Sequence, residues 1–469
     1  MVMGELTQHT ELLVIGAGPG GYAAALRAAE LGMEVTVVDA FGRPGGTCLF
    51  SGCIPSKILL YLSNLIGDVQ RAASMGVRFD PPQIDLAAVR DWKRSVVESL
   101  AQRLHKAVEG RGIQLLRGRA EFENSTRVRL HDAELSRISF KHCIVATGTR
   151  PARLDGIPER TSGRLLTPGG ALTLSRVPPD LLIIGAGATG LELGTIYAGL
   201  GSRVVLVERR EGLLPDVDRD LTLPLAQRLA TLFSELHFNC TALSVQEDEE
   251  GLRVTFEGAG PDPGRKYDQV LMAVGRIPSS NGLGLEHTGV RRDEHGFIAV
   301  DDRQCTGDDR IYAVGDVTGG PLLAHKAIRQ GRVAAEAIAG QSSGFDVRAL
   351  PSVIYTDPQI AWCGLSEMQA RREKRSVRIR RFDWAASERA ATLGLQQGLT
   401  KIVADPQSGR ILGVGLCGRN AEDMIAEGAL AVEMGALAED LALTLHPYPT
   451  LSETEAAAAE LLGDSAGPD

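Results

Sequence analysis

One supersecondary unit occurs twice along this chain, and that repetition limits the fold more than any other feature. In the first copy the apolar run Glu11 to Ile15 enters Gly16-Ala17-Gly18-Pro19-Gly20-Gly21, a helix-forming stretch follows from Tyr22 to Leu31, and the strand Glu34 to Val38 ends at Asp39. In the second, Leu181 to Ile184 leads into Gly185-Ala186-Gly187-Ala188-Thr189-Gly190, a helix from Leu191 to Leu200, and the strand Arg203 to Val207, ending at Glu208. A glycine-rich turn alone joins many strands to helices. Here each copy follows a strand, opens a helix and carries an acid 23 residues beyond its first glycine, which is the context of a dinucleotide-binding unit. Gly16 and Gly185 permit the tight turn, Gly18 and Gly187 let backbone approach a pyrophosphate, and Gly21 and Gly190 let helix pack on strand. The pyrophosphate then lies at the positive helix end, and Asp39 and Glu208 accept from ribose hydroxyls.

Two such units do not account for the whole chain, whose 469 residues suit about three domains. Asp85 to Glu109 reads as a long amphipathic scaffold helix, with Leu86, Val89, Trp92, Val96, Val97, Leu100, Leu104 and Val108 on its apolar stripe. The strand-then-glycine endings Cys143 to Gly148 and Gln269 to Arg276 look like crossings between domains. A third, Ile311 to Asp316, sets a carboxylate straight after a buried strand, where a ligand hydroxyl can meet it. The Gly- and Ser-containing stretch Gly340 to Pro351 reads as a linker. From Ser352 onward strand-like runs (Leu399 to Val403, Ile411 to Leu416) alternate with a helical one (Ala421 to Gly435), which predicts a separate α+β domain. Gly463 to Asp469 is expected to lack fixed structure.

A net charge of −9 provides no basic stripe for phosphates, so no nucleic-acid partner is expected. Met1 to Glu11 lacks the basic and apolar regions of a secretion signal, and no window is read as reaching the ~20 apolar residues of a membrane span. These readings point to a cytoplasmic protein without a membrane partner. Five of the seven cysteines are scattered, unlike a secreted disulfide framework, and only Cys48 and Cys53 are close. No second Cys or His pair completes a zinc set, so no metal site is expected. The pair sits in Gly45-Gly46-Thr47-Cys48-Leu49-Phe50-Ser51-Gly52-Cys53-Ile54-Pro55-Ser56-Lys57, entering a helix whose early Pro55 suits its first turn. A thiolate there is stabilised by the helix dipole.

With these residues in view, the chain resembles the pyridine nucleotide:disulfide oxidoreductases, nearest to their dihydrolipoamide dehydrogenase branch. The resemblance spans nearly the whole chain and rests on Gly45 to Lys57, both glycine fingerprints, Ala146-Thr147-Gly148, Gly315-Asp316, Leu323 to Ala327, Tyr355 to Pro358, and Pro449 to Glu453. It implies FAD and NAD as cofactors and a homodimer acting on a lipoyl-bearing protein or small disulfide. It also implies an FAD-binding domain over 1–150 and 277–347, an NAD-binding domain over 151–276 and an interface domain over 348–469. For FAD it implies Gly16, Gly18, Gly21, Asp39, Gly46, Thr47, Lys57, Ala120, Ala146, Thr147, Gly148 and Asp316, with Ala324 and His325 reaching the flavin through their backbone. For NAD it implies Gly185, Gly187, Gly190, Glu192, Glu208, Ala242 and Gly275. Lys57 is implied beside the flavin with Glu192 as its ion partner, Cys53 as the flavin-contacting thiolate and Cys48 as the interchange thiol.

The sequence departs from the family at one catalytic position. The expected histidine five residues before the retained Glu453 is Tyr448, and His446 lies two residues earlier, either scaffold or a displaced base. A tyrosine there resembles mercuric reductases, but their C-terminal cysteine pair is missing, since no cysteine follows Cys417. Glu208, in place of the basic residues that grip an NADP phosphate, disfavours a glutathione reductase. The expectation is a dihydrolipoamide dehydrogenase-like enzyme. A related flavin reductase with another acceptor is the alternative, followed by a binding subunit or sensor, which has no need of the cysteine pair.

Overall fold

The computed structural model describes residues 7–157, 162–395 and 397–463. Its first part runs β1 (Thr7–Ile15), α1 (Pro19–Glu30), β2 (Val35–Asp39), α2 (Gly46–Ser51), α3 (Cys53–Ala72), α4 (Leu86–Glu109), β3 (Gln114–Arg117), β4 (Arg119–Asn124), β5 (Arg127–His131), β6 (Arg137–Val145) and β7 (Thr149–Pro151). Leu12 to Ile15 are buried without alternation, as in a parallel strand covered on both faces. β1 pairs in parallel with β2 and β6, within the order β3-β2-β1-β6-β5-β4. Helix α1 begins at Pro19 rather than the expected Tyr22, because a first-turn residue needs no N–H partner and proline suits it.

The second part holds β8 (Leu165–Leu166), α5 (Pro168–Ala171), β9 (Asp180–Ile184), α6 (Ala188–Gly199), β10 (Arg203–Val207), α7 (Arg219–Leu232), β11 (Glu235–His237), β12 (Cys240–Glu247), β13 (Leu252–Gly258), β14 (Lys266–Tyr267), β15 (Gln269–Met272) and β16 (Arg276–Pro278). Its parallel sheet has the order β11-β10-β9-β15-β8. β7 and β16 pair antiparallel, so the two crossings lie side by side. The chain then returns: β17 (Ile311–Ala313) joins the first sheet beside β6, and α8 (Ala324–Ile338) packs on α1.

The remainder comprises β18 (Ser352–Ile354), β19 (Gln359–Gly364), α9 (Glu367–Arg372), β20 (Arg378–Asp383), α10 (Glu388–Thr392), β21 (Leu399–Ala404), β22 (Ile411–Gly418), α11 (Ala421–Met434), α12 (Ala438–Leu443) and α13 (Glu453–Gly463). An antiparallel sheet, β18-β19-β22-β21-β20, carries the helices over a core that includes Trp384, Ile402, Leu416 and Ile425. Lys401, 1% exposed, fastens this sheet to α7 and α9. Its ammonium meets Asp218 at 2.8 Å, Asp220 at 2.9 Å and Glu367 at 2.6 Å, so the buried charge is fully paired.

Two sequence expectations need correction. The run Gly46–Met75 is long and apolar enough to cross a membrane by length and composition. In the fold it is a core element, burying Ile58, Leu59, Leu60, Ser63 and Ile66, with Ser63 Oγ donating to the Thr195 carbonyl of α6 at 3.0 Å. One face of the run is thus covered by protein, while Tyr61, Leu65 and Met75 are exposed. Of the tail expected to lack structure, Gly463 closes α13, while residues 464–469 lie outside the described residues.

Candidate active site

The two glycine turns are built alike, contact by contact. Gly16 accepts its place with φ +99° and Gly185 with φ +108°, each so close to a facing carbonyl, of Ala146 or Ala273, that a side chain would collide. Asp39 Oδ2 accepts from the Ala17 amide at 3.1 Å and its Oδ1 from Phe41 at 2.9 Å; Glu208 repeats this with Ala186 at 2.7 Å and Arg210 at 2.9 Å. Each acid therefore braces its own turn. Nothing lies within 4 Å of where a Cβ would stand on Gly18 or Gly187, so bare backbone at two helix N-termini faces open space, as a pyrophosphate requires. The buried Thr147 hydroxyl has no protein partner, leaving a polar group beside the first turn for a ligand.

Cys48 lies in the short α2, and Cys53 is the first residue of α3, at its open N-terminus. Both are free thiols, Cys53 exposed and Cys48 half-buried. The hydrogen bond from Cys48, with the nearby Lys57 ammonium, brings the Cys53 thiol down to about 7. The same hydrogen bond and burial push Cys48 far up, so the proton stays on Cys48 and the charge on Cys53. Lys57, one turn along α3, reaches Glu192 of α6 at 2.9 and 3.2 Å. Gly46, at φ +57°, brings the cysteine loop against Gly18, and Thr47 follows it.

The structure adds residues to which the sequence reading assigned no role. Tyr355 lays its ring 4.2 Å from the Lys57 ammonium and donates its amide to Glu192 at 3.1 Å. The Tyr22 hydroxyl, raised mainly by burial, lies in the field of both cysteines. Thr149 donates to Asp316 Oδ2 at 2.9 Å and accepts from Arg276 Nε at 2.7 Å, orienting the acid through the paired crossings. None of these has a sequence signal of its own, since each meets its partner only across the fold. Ala324 and His325 open α8, and His325 Nε2 is 2.8 Å from the Pro351 carbonyl. Ala120 and Ala242 face buried cores, leaving only their backbone for a ligand. Gly148 and Gly275 immediately precede β7 and β16, at φ +68° and +113°.

At the far end, Tyr448 is 74% exposed and far in sequence from Cys48 and Cys53. Glu453 accepts from the Thr450 amide at 2.6 Å, capping the turn into α13. His446 does not project as a displaced base. Its side chain is buried, with Nε2 2.9 Å from Glu427 of α11 and Nδ1 2.9 Å from the Thr444 carbonyl, so both ring nitrogens are engaged.

Residues 10–331 match the family Pyridine nucleotide-disulphide oxidoreductase, and residues 350–459 match its dimerisation domain. The chain belongs to this family. It is 41% identical over 462 residues to the dihydrolipoyl dehydrogenase of Geobacillus stearothermophilus, covering 98% of both chains. It is 39% identical to that of Halobacterium salinarum, again over 98% of both. Among solved structures it is similar to LpdA from Mycobacterium tuberculosis (TM-score 0.88, 29% identity, 97% of this chain and 99% of that one). It is also similar to the HOCl-induced flavoprotein disulfide reductase RclA of Escherichia coli, solved as a Cu(II) complex (TM-score 0.86, 26% identity, 97% and 99% covered). The protein is a dihydrolipoyl dehydrogenase-like flavoprotein disulfide oxidoreductase, an NAD-dependent enzyme that uses FAD and NAD.

Proposed function

We propose that this chain oxidises a dihydrolipoyl dithiol, as a homodimer in the cytoplasm, with the electrons leaving as NADH. The observation that carries the reading is the asymmetry of the pair, a thiolate-forming Cys53 at a helix N-terminus beside a proton-holding Cys48. One substrate sulfur attacks Cys48 of the Cys48–Cys53 disulfide, and Cys53 departs as a thiolate. The second substrate sulfur then displaces Cys48, giving the cyclic substrate disulfide, the reduced pair with Cys48 protonated and Cys53 a thiolate, and one released proton. FAD would supply the two-electron chemistry that links the reduced pair to NAD⁺. Lys57, held by Glu192 and Tyr355, keeps positive charge beside Cys53 throughout.

Gly16, Gly18, Gly21, Asp39, Gly46, Thr47, Ala146 to Gly148 and Asp316 are assigned to FAD, and Gly185, Gly187, Gly190, Glu208 and Gly275 to NAD; open backbone at Gly18 and Gly187 and the braced acids Asp39 and Glu208 support the two turns. The homodimer is supported by the dimerisation match and by exposed apolar residues on that domain, among them Leu430, Met434, Leu443 and Leu445. Buried free thiols at Cys143, Cys240, Cys363 and Cys417 suit a reducing compartment.

An anaerobic titration with dihydrolipoamide, followed by NADH, tests the reading by the flavin spectrum. Reduction by both, with a long-wavelength thiolate-to-flavin band, is expected; reduction by NADH alone defeats the dithiol assignment. That second result favours the alternative of another disulfide, a quinone-like acceptor or a metal ion such as Cu(II). Tyr448 in the histidine position is the observation that keeps this alternative in view.

A further inference from the structure

Glu455, in the first turn of α13, is 0% exposed, and neither carboxyl oxygen has a hydrogen-bond partner. An ionised carboxylate so placed is costly, because the lost hydration is replaced by nothing. Burial, aided by Glu427, raises it to about 8, so it is a neutral acid through most of the physiological range. The titratable groups facing it are Glu427 from α11 and the Cys363 thiol from β19. Charges on the other packed elements are directed elsewhere. Arg378 and Arg380 of β20 reach the Leu462 and Leu461 carbonyls, Lys401 of β21 pairs with Asp218, Asp220 and Glu367, and Asp440 of α12 accepts from the Leu437 amide.

Glu427 ties this acid to the terminal segment. Its partner His446 places Nδ1 against the Thr444 carbonyl, which can only accept, so Nδ1 carries a proton. The contact of Nε2 with Glu427 then holds one further proton between ring and carboxylate. Beyond this anchor the segment turns outward on the single chain: Leu445 is 96% exposed and Tyr448 74%.

We propose that Glu455, Glu427 and His446 form a proton-holding cluster that positions the segment bearing Tyr448 and Glu453, and that ionisation of Glu455 releases it and switches off the disulfide half of the reaction. Glu455 is a positioning residue, and the inference rests on reading that segment as part of the active site. A second negative charge in the same apolar space repels Glu427, which is one-third exposed and turns to water, letting go of His446. The sign follows from the raised value. A neutral buried acid is favourable at low pH, and that stability is lost as pH rises from the ordinary carboxyl range through about 8.

The test is amide hydrogen exchange of residues 444–452 in the full-length holoenzyme from pH 6 to 9.5, corrected for base catalysis, beside dihydrolipoamide oxidation and NADH-to-dye activity. In wild type, protection should fall about ten-fold per pH unit of Glu455 ionisation. Dihydrolipoamide turnover should fall over the same window while dye reduction holds. Glu455→Gln should abolish the fall in protection, and Glu455→Leu provides the same comparison if the amide packs poorly. Flat wild-type protection, or an equal fall in both variants, overturns the proposal. If protection behaves as expected but dihydrolipoamide is not oxidised at any pH, the cluster stands and the substrate reading fails.

Discussion

Lys57 and Glu192 meet across the packed helices α3 and α6, the ammonium 2.9 Å from one carboxylate oxygen and 3.2 Å from the other. The pair joins the helix that starts at Cys53 to the helix that starts at the second glycine turn, so the thiol and that turn share one ion pair. Lys57→Met should therefore raise the pH at which the Cys53 thiolate forms by about one unit. Glu192→Gln should act less strongly, since the ammonium remains. The pH titration of the thiolate-to-flavin band measures both, and an unmoved midpoint in Lys57→Met would show that Lys57 does not act on Cys53.

Removing one sulfur at a time separates the two cysteines. Cys48→Ser should keep a long-wavelength band that appears as pH rises through the neutral region, because Cys53 is the group held near 7. Cys53→Ser should have none, since burial still disfavours a thiolate at Cys48 once its Cys53 partner is gone. A band of equal strength in Cys53→Ser reverses the assignment.

Coenzyme choice turns on Glu208, which accepts from Ala186 and Arg210 and would repel a 2′-phosphate. Wild type should prefer NADH over NADPH in kcat/KM. Glu208→Ala should narrow that preference and also weaken NADH use, about ten-fold or more, because the turn loses its brace as well as its ribose contact. Equal kcat/KM for the two coenzymes in wild type removes the argument.

Proton handling at the disulfide side is expected to be slow. A phenol is a poorer proton acceptor than an imidazole, and general acid–base help is worth ~10²- to 10⁴-fold. Tyr448→His should raise dihydrolipoamide turnover by about 10²-fold and leave NADH-to-dye activity within about two-fold, as steady-state rates with each acceptor will show. His446→Ala should loosen the segment rather than remove a base, because both its ring nitrogens are engaged within its own chain. Turnover by wild type at a rate that Tyr448→His does not improve would show that this scaffold dispenses with the imidazole.

What the sequence determined is local or periodic. Asp39 and Glu208 were legible because strand, turn, helix and acid follow one another at constant spacing, and parallel pairing converts that spacing into place. The cysteine pair was legible for the same reason, being close in sequence and at a helix start. Tertiary structure decided the rest. The apolar run 46–75 is neutral between lipid and protein core until α6 is seen to cover it. Thr149 acquires a role only when β7 and β16 pair, and Tyr355 only when β18 brings it to Lys57. His446, read as scaffold or base, became an anchor once α11 presented Glu427, and Glu455, an ordinary helix-start acid in sequence, became a buried one. The partners of these particular polar groups lie on elements far apart in the chain, and a single polar side chain leaves no periodic trace in it.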